Sequence, residues 1–482
     1  DEQGNLHFRD LEVGTYTLTE ETPEGYVKNN KTYTVEVTKA NAGDKVATVK
    51  VMNGTEELAQ LEGGIVTIDN TQIRGNIKIV KKGSGNWMKD LYEAFLLEGA
   101  EFGVYNAKGE EVAKAKTNAL GVVEFKDLLV GKYTIKETYV PEGYDKVADF
   151  EVEVTEHGKT ITVEKVDEVR KGKLKVVKVD KENGKPVNFA GAQFKIKNLQ
   201  TNQYVQQEGK EIFETDANGE FTTPLDLLYG KYELYEVKAP EGYVLNSEPV
   251  QFTITGEKTL VSLNFSDDRV KGKLELVKMG AAPAGVEKAD GTYGTEYSLT
   301  MAQERTLEGV EFEVYAKEDI TLKTGDVVKK AGEMVGKITT DANGRGVLEG
   351  LEIGKYTIKE TKALDGYIPA VDQEFEITYE GQEKAIVTKG AKVENDYRKV
   401  KLVLDKEEQK QVGLDVTKDK EHGEAKYENV AGADKVFVVR TKEAIIGAKG
   451  EELVPANGIV ATLTTDVNGH AEKVLNLPDG TC

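Results

Sequence analysis

The chain has 482 residues, room for three to five domains of ordinary size. Its 64 basic and 85 acidic residues give a net charge of −21, which argues against a nucleic-acid partner and suits a soluble surface protein. The single cysteine, Cys482, rules out an intrachain disulfide, and no apolar run reaches the length of a membrane span, so no membrane contact is expected in this segment.

Read from the start, the chain opens inside a repeat. Asp1-Glu2-Gln3-Gly4 followed by Gly14-Thr15-Tyr16 corresponds to Asp216-Ala217-Asn218-Gly219 before Gly230-Lys231-Tyr232, and to Asp341-Ala342-Asn343-Gly344 before Gly354-Lys355-Tyr356. At the far end Thr465-Asp466-Val467-Asn468-Gly469 leads into Leu477-Pro478-Asp479-Gly480-Thr481, with no strand Tyr after it. The first and last units therefore read as incomplete, and the chain as a window on a longer tandem array. Boundaries fall near 74/75, 171/172, 271/272 and 398/399, giving units 1–74, 75–171, 172–271, 272–398 and 399–482 with almost no linker. The first carries a longer return segment over Lys39–Gly64, and the fourth an insert over about Gly280–Thr306.

Each unit shares one grammar. A strand such as Gly75–Lys81 precedes a variable loop, then Leu97-Glu98-Gly99-Ala100-Glu101-Phe102 or its counterparts ending at Phe194 and Phe312, with Val430–Ala433 opening the same element in the last unit. An Asp-x-Asn-Gly hairpin follows, where Asn-Gly predicts positive φ at both central positions. Next comes Gly-x-Tyr-x-hydrophobic-x-Glu, a Pro-x-Gly-Tyr turn read as type I, and two more alternating strands such as Phe150–Val154. Short strands of period 2 with almost no helical period predict an all-β fold of tandem antiparallel sandwiches in an elongated array.

The Glu strand places Tyr, an apolar residue and Glu on one face, so Glu20, Glu137, Glu236 and Glu360 point at the core and need a partner or a role. The joints supply one. Asn70 precedes Lys81 by 11 residues, and the same offset separates Asp167 from Lys178, Asp267 from Lys278 and Asn395 from Lys406. Each Lys continues the apolar parity of its strand, as in Leu174, Val176, Lys178; each Asn or Asp closes an inward face, least cleanly before Asp167, where Lys165 interrupts. Three complete sets result: Lys81–Glu137–Asp167, Lys178–Glu236–Asp267 and Lys278–Glu360–Asn395. The first unit retains Glu20 and Asn70 without a Lys, and the last retains Lys406 alone.

Burial raises a Glu pKa and lowers a Lys pKa. A neutral Lys amine is a nucleophile, and a protonated Glu polarises the carbonyl of the third residue and relays protons. The product is a Lys–Asn or Lys–Asp amide, with ammonia or water released. The simpler alternative is a salt-bridged set at the sheet edges, since most strand lysines face water.

This grammar resembles the B-type (CnaB-type) repeats of Gram-positive collagen adhesins, also called prealbumin-like or SpaA-type pilin domains, over essentially the whole chain. The resemblance implies seven-stranded Ig-like sandwiches, self-formed isopeptide bonds and the Glu as their catalyst. It departs from the pattern where Asp167 and Asp267 replace Asn, and where Ala363-Leu364-Asp365-Gly366 replaces the Pro turn.

The expected role is a stalk segment of an extracellular, cell-wall-anchored adhesin or pilus-like protein: a monomeric rod without cofactor or metal, and no turnover enzyme, because its reactive groups are consumed. A host surface or matrix ligand would be engaged by the full-length protein. The alternative is a ligand-binding adhesin region for a host matrix protein or glycan, using the inserts of the first and fourth units, where Tyr293 and Tyr297 stand. His7, His157, His422 and His470 are too scattered for a metal site, and the Asp-x-Asn-Gly hairpins read as turns rather than calcium loops. Trp87, the only tryptophan, reads as packing over the sandwich or as an exposed contact. Leu477–Thr481 superficially matches a sortase signal but fits the loop before a Glu strand better.

Overall fold

Alternation of apolar and polar residues sets the backbone throughout. In Arg74–Gly83, Gly75, Ile77, Ile79, Lys81 and Gly83 are buried while the residues between them are half-exposed. The structure, a computed structural model, describes residues 3–39, 41–43, 45, 47–61, 65–416 and 423–477. The stretch 478–482 and parts of the first return segment lie outside the described residues.

The second unit shows the plan. Its main strands are β1 (Arg74–Gly83), β2 (Glu101–Tyr105), β3 (Glu111–Lys116), β4 (Val122–Leu129), β5 (Gly131–Tyr139), β6 (Phe150–Val154) and β7 (Thr160–Val169). One sheet runs β3-β2-β5-β6 and the other β4-β1-β7, with two-residue strands at the margins of the latter. That makes seven main strands in two sheets. Between the sheets lie Ile77, Ile79, Phe102, Val104, Ile135 and Val154, all essentially inaccessible. The neighbours pair antiparallel except β1 and β7, which run parallel. The third and fourth units repeat the arrangement around cores containing Phe194 and Phe312.

Two turn expectations are corrected. In the Asp-x-Asn-Gly hairpins only the glycine has positive φ (71° at Gly219, 68° at Gly344, 72° at Gly469). The Gly219 N–H donates to the Asp216 carbonyl, and the Asp216 carboxylate accepts the N–H groups of Asn218 and Glu220. This is a type I turn closed by a left-handed glycine, with the Asp side chain as its cap. In the Pro-x-Gly-Tyr turn, the Tyr243 N–H donates to the Pro240 carbonyl and Gly242 has φ 93°. Proline is the first residue and glycine the third, which demands positive φ and makes the turn type II rather than type I.

The joints hold the other findings. Trp87 packs edge-on against Tyr229 of the third unit, with ring centroids 5.1 Å apart, and donates its indole N–H to the Glu142 carbonyl at 2.8 Å. At the next joint Arg269 meets Asp180 at 2.5 Å, Glu182 at 2.9 Å and Glu352 at 3.0 Å. The return segment of the first unit adds Thr48–Asn53 as a third strand beside Thr32–Thr38.

The insert of the fourth unit is a β-ribbon, Lys271–Gly291 extended against Gly294–Thr306. It reaches the fifth unit. Glu296 pairs with Ile459, Leu299 (6% exposed) joins the cluster of Val454, Ala461 and Leu463, and Tyr297 packs against it. Glu296 also meets Lys473 at 2.6 Å, and the Pro283 carbonyl accepts the Ala448 N–H. Tyr297 thus serves a joint between units. Truncating Leu299 to Ala should destabilise the region 400–477 by about 2–4 kcal/mol, read as faster hydrogen exchange there with the second and third units unchanged.

Candidate functional site

The parallel pairing of first and last strands assembles the site. Asp167 stands opposite Gly83, two residues beyond Lys81; Asp267 stands opposite Asp180, and Asn395 opposite Gly280, with the same offset from Lys178 and Lys278. The two side chains therefore share the inner face one step apart, and the Glu strand of the facing sheet lies across from them.

In the second unit Lys81 Nζ contacts Asp167 Oδ1 and stands 3.3 Å from Glu137 Oε1, with all three side chains at 0% exposure. In the third, Lys178 Nζ contacts Asp267 Oδ1 and is 2.9 Å from Glu236 Oε1. In the fourth, Lys278 Nζ donates to Asn395 Oδ1 and, at 2.9 Å, to Glu360 Oε2, while Asn395 Nδ2 donates to Glu360 Oε1 at 2.6 Å. All nine residues of the three complete sets are thus brought together as three clusters.

The surroundings fix each member. The Lys81, Lys178 and Lys278 backbone N–H groups donate to the hairpin glycine carbonyls of Gly121, Gly219 and Gly344 at 2.7–2.8 Å. A Cβ on Gly121 or Gly344 would meet the Lys81 or Lys278 carbonyl at 2.4 or 2.5 Å, so the hairpin docks closely on the lysine backbone. The rings of Phe102, Phe194 and Phe312 lie 5.5, 5.9 and 5.7 Å from the ammonium groups and help keep water out. Gly83 and Gly280 leave room for the Tyr144 and Tyr367 rings, whereas Asp180 in that place accepts the Tyr243 hydroxyl at 2.8 Å.

Two kinds of partner escaped the sequence reading. One is the hairpin glycine, which was legible only as a turn. The other is a backbone donor to each glutamate: the N–H of Val147, Asn246 or Ala370 to Glu137, Glu236 or Glu360 Oε2 at 3.0, 3.1 and 3.1 Å. No side-chain pattern encodes it.

Electrostatics follow from burial. Desolvation, reinforced by Asp167 and opposed by Lys81, pushes the Glu137 carboxyl up to about 7. Desolvation likewise raises Asp167, and pushes Asp267 up to about 7 against the pull of Lys178. It lowers the Lys278 ammonium, with Glu360 opposing. Asp167 Oδ2 and Asp267 Oδ2 are buried without a hydrogen-bond donor. In the fourth unit that position is the Asn395 amide, which donates to Glu360. In the Asp units a proton on the raised carboxyl would supply the equivalent donor.

The incomplete sets behave differently. Glu20 accepts Asn70 Nδ2 at 2.5 Å and Asn29 Nδ2 at 2.9 Å, which hold its carboxyl below the usual range. Lys406 is half-exposed, yet its N–H reaches the Gly469 carbonyl as in the complete units. Chemically, each complete cluster offers an amine touching a carboxyl or amide, with a second carboxyl beside both.

The family model for the SpaA prealbumin-like fold domain matches residues 1–54, 83–169, 172–269 and 300–392. Among solved structures the chain is similar to the TIE protein of Bacillus anthracis at 25% identity, covering 76% of this chain and 59% of that one with a TM-score of 0.46. It is also similar to BcpA, the major pilin subunit of Bacillus cereus (16% identity, 67% and 100% covered, TM-score 0.31). A third is the full-length major pilin SpaD of Corynebacterium diphtheriae (16% identity, 67% and 97% covered, TM-score 0.22). No curated protein sequence matches.

The hairpin contact is testable. Gly344→Ala combines φ 68° with the close Lys278 carbonyl, whereas Gly209→Ala has φ 75° in open space. The first should destabilise by about 2–3 kcal/mol and the second by about 1 kcal/mol in chemical denaturation.

Proposed function

The chain belongs to the SpaA family of prealbumin-like fold domains, and on that premise we propose that it is a stalk segment of a Gram-positive surface adhesin or pilus-like protein. Its units, divided near 74/75, 171/172, 271/272 and 398/399, are stiffened by self-formed isopeptide bonds. The observation that carries the proposal is the burial of Lys81–Glu137–Asp167, Lys178–Glu236–Asp267 and Lys278–Glu360–Asn395, each joining the first strand of a unit to its last.

Each bond forms once. The neutral Lys amine attacks the side-chain carbonyl carbon of Asp or Asn while the protonated Glu hydrogen-bonds the group under attack. The C–N bond forms as the C–O or C–N bond to the leaving group breaks. The Glu proton leaves with water or ammonia, and an amine proton replaces it on the Glu. Contact in a dry core supplies the proximity. A reaction that consumes its own nucleophile is single-turnover, so no enzyme activity is assigned.

The mechanical result follows from topology. Load entering at β1 crosses to β7 through the Lys81–Asp167 link, and the stretch 82–166 between them is bypassed. Closing that loop adds on the order of 4–5 kcal/mol in the chain-entropy model. An extracellular surface location suits such a device, since it gives the protection that disulfides give elsewhere.

Intact mass is the decisive measurement. The chain should be lighter than its sequence by two waters and one ammonia, and a full theoretical mass would sink the proposal. Glu137→Ala, Glu236→Ala or Glu360→Ala should each restore the missing mass of its own unit alone. Proton inventory also separates the units. The reactive Asp clusters hold two protons over the amine and two carboxyls, and with carboxyl pKa values raised to about 7 one proton is lost above that pH. The Asn cluster needs only one, which a Lys–Glu ion pair already contains. Formation in the second and third units should therefore slow as pH rises through about 7, while the fourth stays level, as followed by cross-linked fragments during cell-free synthesis.

A further inference from the structure

The glutamates of the four units are held in one way that the cross-linking chemistry does not by itself require. Glu137, Glu236 and Glu360 each receive a backbone N–H on Oε2 from the residue ten positions later, which is the third residue after the turn tyrosine. The residues there are Val147, Asn246 and Ala370, three unrelated side chains, so only the main chain is common. In the first unit Oε2 is also occupied, but by the Asn29 side-chain amide. A donor to Oε2 is therefore kept even where its source changes.

The loop that carries the donor is tied at its other end to the reaction partner. Tyr144 pairs with Val169, and Tyr26, Tyr243 and Tyr367 bridge to Gln72, Arg269 and Tyr397. Each of these is two residues beyond the terminal Asn or Asp of its unit. One short loop thus touches the glutamate with its N–H and the last strand with its tyrosine. It sets the distance between the proposed catalyst and the carbonyl to be attacked. With Oε2 tethered, Oε1 faces the terminal residue, as the Asn395 and Asn70 amides on Glu360 and Glu20 Oε1 display.

We infer that the main-chain N–H of Val147, Asn246 and Ala370 is a positioning group for isopeptide formation, tethering Oε2 so that Oε1 stays aimed at the Asp or Asn side chain. This rests on the cross-linking reading above. The donor also favours the ionised carboxyl, opposing the upward pull of burial on Glu137. Its loss has two signatures: a less well-aimed carboxyl, and one that holds its proton to higher pH.

The test removes the donor without changing a side chain. The α-hydroxy analogue of valine, placed at 147 in the full chain by cell-free synthesis, turns the N–H into an ester oxygen. Conversion of each unit is read over time and pH from the mass of its cross-linked proteolytic fragment. Second-unit formation should slow about five- to tenfold, as expected for losing one hydrogen bond to the reacting carboxyl, and its pH midpoint should move up by about one unit. The third and fourth units of the same molecules should be unaffected. A native rate in the ester chain overturns the inference. So does slowing with an unmoved pH midpoint, which is what general loss of folding would give. A full theoretical mass for the second unit of the unmodified chain overturns this inference and the cross-linking reading together.

Discussion

Where the first and last strands of a unit run side by side and parallel, residues two apart along them sit on the same inner face within reach of each other. That pairing is the constraint behind the rest. It places Asp167, Asp267 and Asn395 one step past Lys81, Lys178 and Lys278, and it brings the entering and leaving chain together at the same edge of the sandwich. The facing sheet need supply only one more residue, and its alternation presents a glutamate there. A slip of one residue in either strand would turn the lysine or its partner out to water.

The same pairing creates an electrostatic problem. A lysine and two carboxyls at zero exposure have lost their hydration, and ion-pair attraction in such a place rarely more than offsets that loss. The strain shows in the raised carboxyls of Glu137, Asp167 and Asp267, the lowered Lys278 ammonium, and the donorless Oδ2 atoms of the two aspartates. Amide formation would remove a cation and a carboxyl from the core at once. In the proposed reaction the free-energy gradient would run from an uncomfortable ionic cluster toward a neutral amide, driven by the exclusion of water.

Much of the site was legible because two simple periodicities coincide. Parity marked Lys81, Lys178 and Lys278 as inward, and the constant 11-residue offset across the joints matched each unit's last strand to the next unit's first. The partial sets were legible for the same reason: Asn70 reaches Glu20, and the Lys406 N–H reaches the Gly469 carbonyl. What escaped was carried by the main chain or by distant pairing. Val147, Asn246 and Ala370 act through N–H groups that every residue but proline owns. The hairpin was misread because the Asp216 carboxylate, rather than a second left-handed residue, stabilises its turn. The proline turn was misread because its glycine, at φ 93°, occupies the third position. The fourth-unit insert shows period 2 like any strand, and nothing local says that Leu299 belongs to the next unit's core.

That ribbon has an architectural consequence. Two bodies joined by a single strand can swivel about it, so the azimuth of one relative to the other is free even when the spacing is fixed. The fourth and fifth units are joined twice, by the chain between Asn395 and Val400 and by the ribbon, whose strands continue one sheet from Arg345–Leu351 through to Val436–Arg440. Two attachments off a common axis act as a key in a slot. Torque applied to one unit is handed to the next through the Glu296–Ile459 pair and the packing of Leu299, so the two units keep a fixed rotational relation.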